Sequence, residues 1–360
     1  MALTVFLATP AIYISVGCRG ASDAGSTVIE PMIDPETRAK IDGMPNYRFP
    51  EVRSYLAFPE WYIAYTAQDY ANYIARNYPS GFSFFRSAGE FWTSYCAINQ
   101  LVTPHYQVNF GTHLMIYLFG IGHTTEYAIK GLYENTVGRL SEVFAPTPPT
   151  SEDLFARKFA QDYGQWLNTV PWYEFAFAGR LSDLWETVPF SGPGQVRKSE
   201  RRFWLSAELA LKAVCGWLIG GGSESVYQPA QPEIYALMHG LPIDTAPIDR
   251  RIELVETFRD GSQLVKFPRY QPFTEIVQKL SATNNAAFLE IGGNSNILIS
   301  LTAPDDWKPP DEMPPVLFDT LNLSGAGGKR VGISVPVNVL LDVIRKIAAS
   351  GARMEHIYDY

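Results

Sequence analysis

Two Glu–Lys pairs, each four residues apart, lie inside the two most apolar helical segments of the sequence. Glu126 and Lys130 follow the run LMIYLFGIG, whereas Glu208 and Lys212 precede the run AVCGWLIGGG. Residues four apart share one face of a helix, so each pair partly neutralises its own charge. Buried carboxylates and amines can move protons, bind a ligand, coordinate a metal ion or simply lock two helices together.

Counting residues inward from the outer end of each segment places the two pairs at a similar depth. If both segments are antiparallel membrane helices, a rise of about 1.5 Å per residue puts Glu126 about 21 Å deep and Glu208 about 20 Å deep. The two carboxylates then share a level, with Lys130 and Lys212 on either side. We therefore predict a buried charge cluster of Glu126, Lys130, Glu208 and Lys212 between two antiparallel helices.

A metal ion is one interpretation of this cluster, because His123 precedes Glu126 by three residues and shares its face. The predicted ligands are His123, Glu126 and Glu208, with Glu60, Glu134 and His113 as additional candidates. Di-metal carboxylate proteins carry Glu-x-x-His on two helices, whereas this chain has the reverse order once. An ion-pair cluster without further chemistry, and a polar site for a ligand or for protons, remain alternatives.

Positively charged residues flank the segment between the two candidate spans, 111–133 and 203–219. The stretch between Ser87 and Ile129 has no Lys or Arg, while Arg197, Lys198, Arg201 and Arg202 precede the second span. The positive-inside rule assigns such a segment to the cytoplasm. Each uninterrupted apolar run is only about ten residues long, which favours the alternative of buried helices outside a membrane.

The chain divides by composition into three parts. Residues 1–20 contain an apolar stretch that predicts an anchor or signal-like helix, residues 21–222 predict a helical, membrane-associated domain, and residues 223–360 predict an α+β domain. The α+β part alternates short strand patterns with two helical patterns, and Gly293-Asn-Ser-Asn296 predicts a hairpin turn. This order resembles the split βαβ, or ferredoxin-like, arrangement.

Composition excludes some partners. The net charge is −8, and no basic stripe is interleaved with aromatic residues, so nucleic-acid binding is not expected. The 3 cysteines are widely spaced, which predicts neither a disulfide framework nor a zinc site.

The sequence therefore predicts a bacterial inner-membrane protein with a cytoplasmic central loop and an extracytoplasmic C-terminal domain. Its predicted role is accessory, assembly or ligand binding, with membrane lipid as one partner and a protein partner for the C-terminal domain. One alternative is a membrane-bound metal-dependent oxidoreductase that uses His123, Glu126 and Glu208. The second alternative is a soluble binding protein with helical and α+β parts.

Overall fold

The computed structural model describes residues 33–104, 106–107, 110–168, 170–223, 231–283 and 285–360. The N-terminal anchor predicted at 1–20 lies outside these residues. Helices fill the described chain up to Ser223, and strands begin at Glu233. The helices are α1 (Pro35–Asp42), α2 (Val52–Leu56), α3 (Phe58–Ile74), α4 (Phe84–Val102), α5 (Phe110–Tyr133), α6 (Arg139–Glu142), α7 (Ser151–Trp166), α8 (Phe177–Glu186) and α9 (Gln195–Ser223). A π-helical turn (Glu134–Gly138) joins α5 to α6.

Helices α3 to α9 form a helical body. Helix α4 packs along α5, α3 packs on α7, and α8 packs on α9. Close approach of α4 and α5 requires Gly120, because a Cβ there would lie 2.3 Å from the Phe91 ring. Helix α7 begins with a capping box in which Thr150 and Asp153 bond each other's backbone N–H groups.

Two antiparallel four-stranded sheets form the rest of the described chain, with orders β2-β3-β1-β4 and β6-β7-β5-β8. Their elements are β1 (Glu233–His239), β2 (Glu253–Thr257), β3 (Gln263–Pro268), α10 (Gln271–Leu280), β4 (Ala287–Ile291), β5 (Asn296–Ala303), β6 (Val316–Leu321), β7 (Lys329–Pro336), α11 (Leu340–Ala349) and β8 (Arg353–Tyr358). Each sheet thus comes from the same succession of three strands, a helix and a fourth strand. The region is an internal structural repeat.

The prediction of a single ferredoxin-like domain is wrong. A split βαβ unit has two helices on one sheet, whereas each repeat here carries one helix, and non-helical connections (240–252 and 304–315) take the place of the first crossover helix. The predicted hairpin at Gly293-Asn-Ser-Asn296 is also wrong, because β4 and β5 belong to different sheets. That turn instead closes on a single bridge between Ile291 and Asn294 and passes the chain from one sheet to the other.

One hydrophobic core unites the two sheets, and it includes apolar residues from β1, β3 to β5, β7, β8, α10 and α11. A second core joins α2 to α5 to the second sheet through rings such as Phe58 and Phe318, whose centroids are 4.4 Å apart. Ser54 reinforces this junction, since its Oγ donates to the Tyr358 carbonyl at 2.7 Å and accepts from the Leu298 N–H at 2.8 Å. The helical body is therefore packed directly on the second repeat.

The predicted membrane spans are contradicted. Among the described residues, none of the helices combines the length and the apolar character that crossing a bilayer requires. Three predictions depended on those spans and lose their basis with them. They are the membrane-embedded fold, the inner-membrane location with its cytoplasmic loop and extracytoplasmic domain, and the membrane-bound oxidoreductase. The physical reason lies in the helices themselves, because α5, and α9 from Phe203 onward, are apolar outward but carry charges toward the protein interior.

Candidate functional site

Helices α5 and α9 run antiparallel and meet through four charged side chains. Lys212 Nζ lies 2.9 Å from Glu126 Oε1, Lys130 Nζ lies 2.9 Å from the same oxygen, and Lys130 Nζ lies 2.6 Å from Glu208 Oε1. We call this series, Lys212–Glu126–Lys130–Glu208, the charge ladder. The structure brings together the four residues that the sequence singled out, but their charges alternate, and Lys130 lies between the two carboxylates.

The alternation keeps Glu126, Lys130 and Lys212 charged. Burial alone lowers the pKa of Lys130, but the Glu208 and Glu126 carboxylates outweigh burial and raise it well above its ordinary value. Burial alone raises the pKa of Glu126, but the Lys212 and Lys130 ammonium groups outweigh it and hold the pKa below its ordinary value. Because a lysine lies on each side of Glu126, this carboxylate stays ionised and holds no proton.

Aromatic rings enclose the two lysines. Lys130 Nζ lies 5.4 Å from the Tyr70 ring centroid and 5.9 Å from that of Tyr127. Lys212 Nζ lies 4.9 Å from the centroid of Tyr163. These distances allow cation–π attraction, which stabilises a desolvated ammonium. The ladder is thus a well-satisfied ionic junction between two helices.

His123 contacts a hydroxyl group and an aromatic ring. Its Nε2 is 3.3 Å from Ser87 Oγ, and its ring is 4.2 Å from that of Tyr127. Burial lowers the pKa of His123 to about 4, so the ring is neutral near pH 7. Its surroundings are those of a packed imidazole.

The described residues contain no group of three or more His, Cys, Asp or Glu side chains arranged to hold a metal ion. The additional candidate ligands also have other positions: Glu60 is exposed, Glu134 pairs with Arg201, and His113 Nδ1 lies 3.0 Å from Tyr95 Oη. Binding of a metal by His123, Glu126 and Glu208 remains a prediction.

The basic residues that suggested a cytoplasmic flank are buried. Arg197, Lys198, Arg201 and Arg202 are each less than a tenth exposed. Four carboxylates surround them, and we call these eight residues the arginine cluster: Arg197, Lys198, Arg201, Arg202, Glu134, Glu152, Asp153 and Glu200. The topological interpretation of these four basic residues is therefore wrong, because their charges are neutralised inside the protein.

Paired hydrogen bonds organise the arginine cluster. Arg201 holds both carboxylate oxygens of Glu134, at 2.8 and 3.0 Å. Arg197 donates twice to Asp153 Oδ1, at 3.0 and 2.7 Å. Such fork-shaped pairing fixes both distance and orientation. The arginine cluster follows the charge ladder along α5 and α9. Between the ladder and the cluster, the Tyr133 and Trp204 rings stack with their centroids 4.0 Å apart.

A third ionic contact joins the helical body to the second sheet, and no sequence pattern indicated it. Arg330 of β7 lies 2.6 Å from Glu355 Oε2 and 3.8 Å from Asp69 Oδ2 of α3. Burial raises the pKa of Asp69 to about 6, although Arg330 and the Leu323 N–H oppose the shift. The three residues are far apart in sequence, so only the folded chain identifies them as a group.

Opposite the ionic junctions, α5 and α9 expose apolar side chains. Every exposed residue between Phe203 and Leu218 is apolar, and so is every exposed residue of α5. We call the large ones the apolar surface: Phe110, Leu114, Leu118, Ile129, Leu132, Phe203, Leu211, Val214, Trp217 and Leu218. Trp217 is 77% exposed and Phe110 is 75% exposed, which is unusual for rings of this size.

The two exposed faces lie on the same side of the helix pair. On each helix, the exposed residues lie roughly 130° around the axis from the charge ladder, in the same rotational sense. Antiparallel helices with this offset are related by a local two-fold axis through the ladder, so both apolar faces lie on the same side. The opposite side of each helix packs into the protein.

Smaller features lie elsewhere. A cleft of about 360 Å³ separates the end of α4 from the second repeat, with Leu101, Leu317 and Val343 among its walls and Asn296 and Ser334 among its polar groups. Cys215 is a free thiol, whereas Cys96 is disulfide-bonded, which the spacing of the cysteines did not predict.

Fold and surface together define an α+β protein with a helical body, internally neutralised charge clusters and an exposed apolar surface. Comparison with protein-family models, curated proteins and solved structures gives no match to this chain.

Proposed function

We propose that this chain is a binding protein whose helical body docks an apolar partner on the apolar surface of α5 and α9. One observation carries the proposal: ten large apolar side chains lie exposed on two adjacent helices. At about 100 Å² each, they expose roughly 1,000 Å² of apolar area. The largest apolar patch on a typical monomer covers about 300–600 Å², and larger patches indicate interaction sites.

The buried charges support this proposal through their arrangement. The charge ladder and the arginine cluster together contain six basic and six acidic residues, since each has equal numbers of both. Removing one member of such a pair is costly, so these groups fix the two helices in one relative position. A rigid pair of helices presents its outer face without reorganisation, and preorganisation favours binding.

Binding of the neutral dye Nile red tests the proposal. We expect fluorescence enhancement with the full chain at nanomolar protein, and its loss in Leu118→Glu/Leu211→Glu, because both leucines lie in the apolar surface at about 60% exposure. The matched control is Ile243→Glu/Val255→Glu, which changes exposed aliphatic residues of the α+β region. Circular dichroism verifies that each variant is folded. Equal dye binding by all three proteins contradicts the proposal.

A further inference from the structure

Resting on the proposed function, we infer that the partner on the apolar surface is a second copy of this chain, which forms a two-fold symmetric dimer through α5 and α9. Three features of the described residues lead to this partner: the area of the surface, its charge balance and the distribution of cations around it.

The area of the surface fits a stable dimer. A standard protein interface buries about 800 Å² on each partner, and obligate homodimer interfaces are larger and more apolar. The apolar surface offers roughly 1,000 Å² from its ten large side chains alone. It also continues past α5, because Leu140 is 65% exposed and Val143 is 75% exposed, with the exposed Arg139 beside them. A second copy can cover this area completely.

The charge ladder makes the surface compatible with itself. A symmetric dimer places the same patch on both sides of the interface, so any excess of one charge would be repelled by its own copy. The ladder contains two lysines and two glutamates, and only the Glu126 side chain, at 36% exposure, reaches the surface appreciably. Two copies therefore meet without net repulsion from the ladder.

The distribution of cations disfavours a lipid surface. Helices that lie on membranes usually carry Lys and Arg that contact anionic headgroups. Within α5 and α9 all the basic side chains are buried: Lys130, Arg197, Lys198, Arg201, Arg202 and Lys212. The net charge of the chain, −8, adds repulsion from an anionic bilayer. A protein partner with its own apolar face matches the surface better.

Sedimentation velocity of the full chain, from nanomolar to high micromolar concentration, tests the inference. We expect a species of twice the chain's mass that dissociates on dilution. Leu118→Glu/Leu211→Glu is expected to weaken self-association by at least about 100-fold, since it buries two carboxylates per copy against apolar side chains. Ile243→Glu/Val255→Glu is expected to dimerise like the parent chain.

Cross-linking gives a second readout that does not depend on a disruptive variant. In a Cys215→Ser background, Leu118→Cys is expected to yield a covalent dimer with a short bis-maleimide, whereas Ile243→Cys is not. A chain that stays monomeric throughout, or a dimer that survives Leu118→Glu/Leu211→Glu, overturns the inference.

The two proposals fail differently. If the chain is monomeric but binds Nile red through the apolar surface, the second copy is rejected and the docking function stands; binding of phosphatidylcholine vesicles by the same surface would identify a lipid partner. If the chain is monomeric and binds neither dye nor vesicles, both proposals are rejected.

Discussion

The two lysines of the charge ladder are predicted to contribute unequally to stability. Lys130 is the sole ion-pair partner of Glu208 among the described residues, whereas Glu126 contacts both Lys130 and Lys212. Lys130→Met therefore leaves Glu208, with a side chain 10% exposed, without an ion-pair partner among the described residues. Lys212→Met leaves Glu126 paired with Lys130 and partly hydrated.

The magnitude follows from the contact geometry. At the 2.6 Å separation of Lys130 Nζ and Glu208 Oε1, an effective dielectric constant of about 20 gives roughly 6 kcal/mol of attraction. Desolvation of the two ions offsets part of this, so removal of the lysine alone is expected to lower the free energy of unfolding by about 3–5 kcal/mol. For Lys212→Met we expect about 1 kcal/mol or less, because the remaining pair is intact and partly exposed.

Urea unfolding followed by tryptophan fluorescence measures both values. The matched control is Lys130→Met/Glu208→Gln, in which the stranded carboxylate becomes a neutral amide and at least half of the loss is expected to return. Equal losses for the two single variants, or a double variant no more stable than Lys130→Met, would refute the asymmetric ladder.

Three further outcomes are expected. The pKa of Asp69 is raised from 3.8 to about 6, so folding takes up a proton between about pH 4 and pH 6. This group therefore makes the free energy of unfolding fall as pH rises through that window. Asp69→Asn should reduce that slope, measured by urea unfolding at several pH values. Gly120→Ala should destabilise the chain by about 1–3 kcal/mol, since its Cβ would meet the Phe91 and Trp92 rings. Gly122→Ala has open space around it and should be neutral or stabilising by up to about 1 kcal/mol. Thermal melts measure both changes in stability. His123, whose pKa is lowered to about 4 by burial, should show no titration between about pH 5.5 and pH 8 in NMR spectra.

Each of these outcomes has a contrary result. An unchanged pH slope in Asp69→Asn would assign the acid dependence to other carboxyl groups. Equal effects of the two glycine substitutions would contradict the close packing of α4 on α5. A His123 resonance that shifts near pH 6.5 would show a solvated ring.

The sequence by itself determined where the helices and charges lie. The i,i+4 spacing of Glu126 with Lys130 and of Glu208 with Lys212 is a local property, and it indicated two helices with charged faces. Counting residues along two antiparallel helices also indicated that the four residues would meet, because later residues of one helix lie beside earlier residues of the other. Each of these deductions needs only the rise and the periodicity of a helix.

The membrane interpretation failed because hydropathy and periodicity do not report which molecule lies against an apolar face. An apolar helix with a few charges can cross a bilayer or can pack its charged side inward and leave its apolar side exposed. The basic run ending at Arg202 illustrates the same limit. Its residues look solvated in the sequence, yet Arg201 pairs with Glu134, 67 positions earlier.

Only the tertiary structure decided the pairing of strands and of distant charges. A turn such as Gly293-Asn-Ser-Asn296 reverses the chain locally, but hydrogen bonds between whole strands depend on competing partners, and β5 pairs with β7 and β8 rather than with β4. The contact of Asp69 with Arg330 likewise depends on how the helical body packs on the second repeat. Local patterns determine the elements of this protein, whereas burial and competition among distant partners determine which faces meet and which stay exposed.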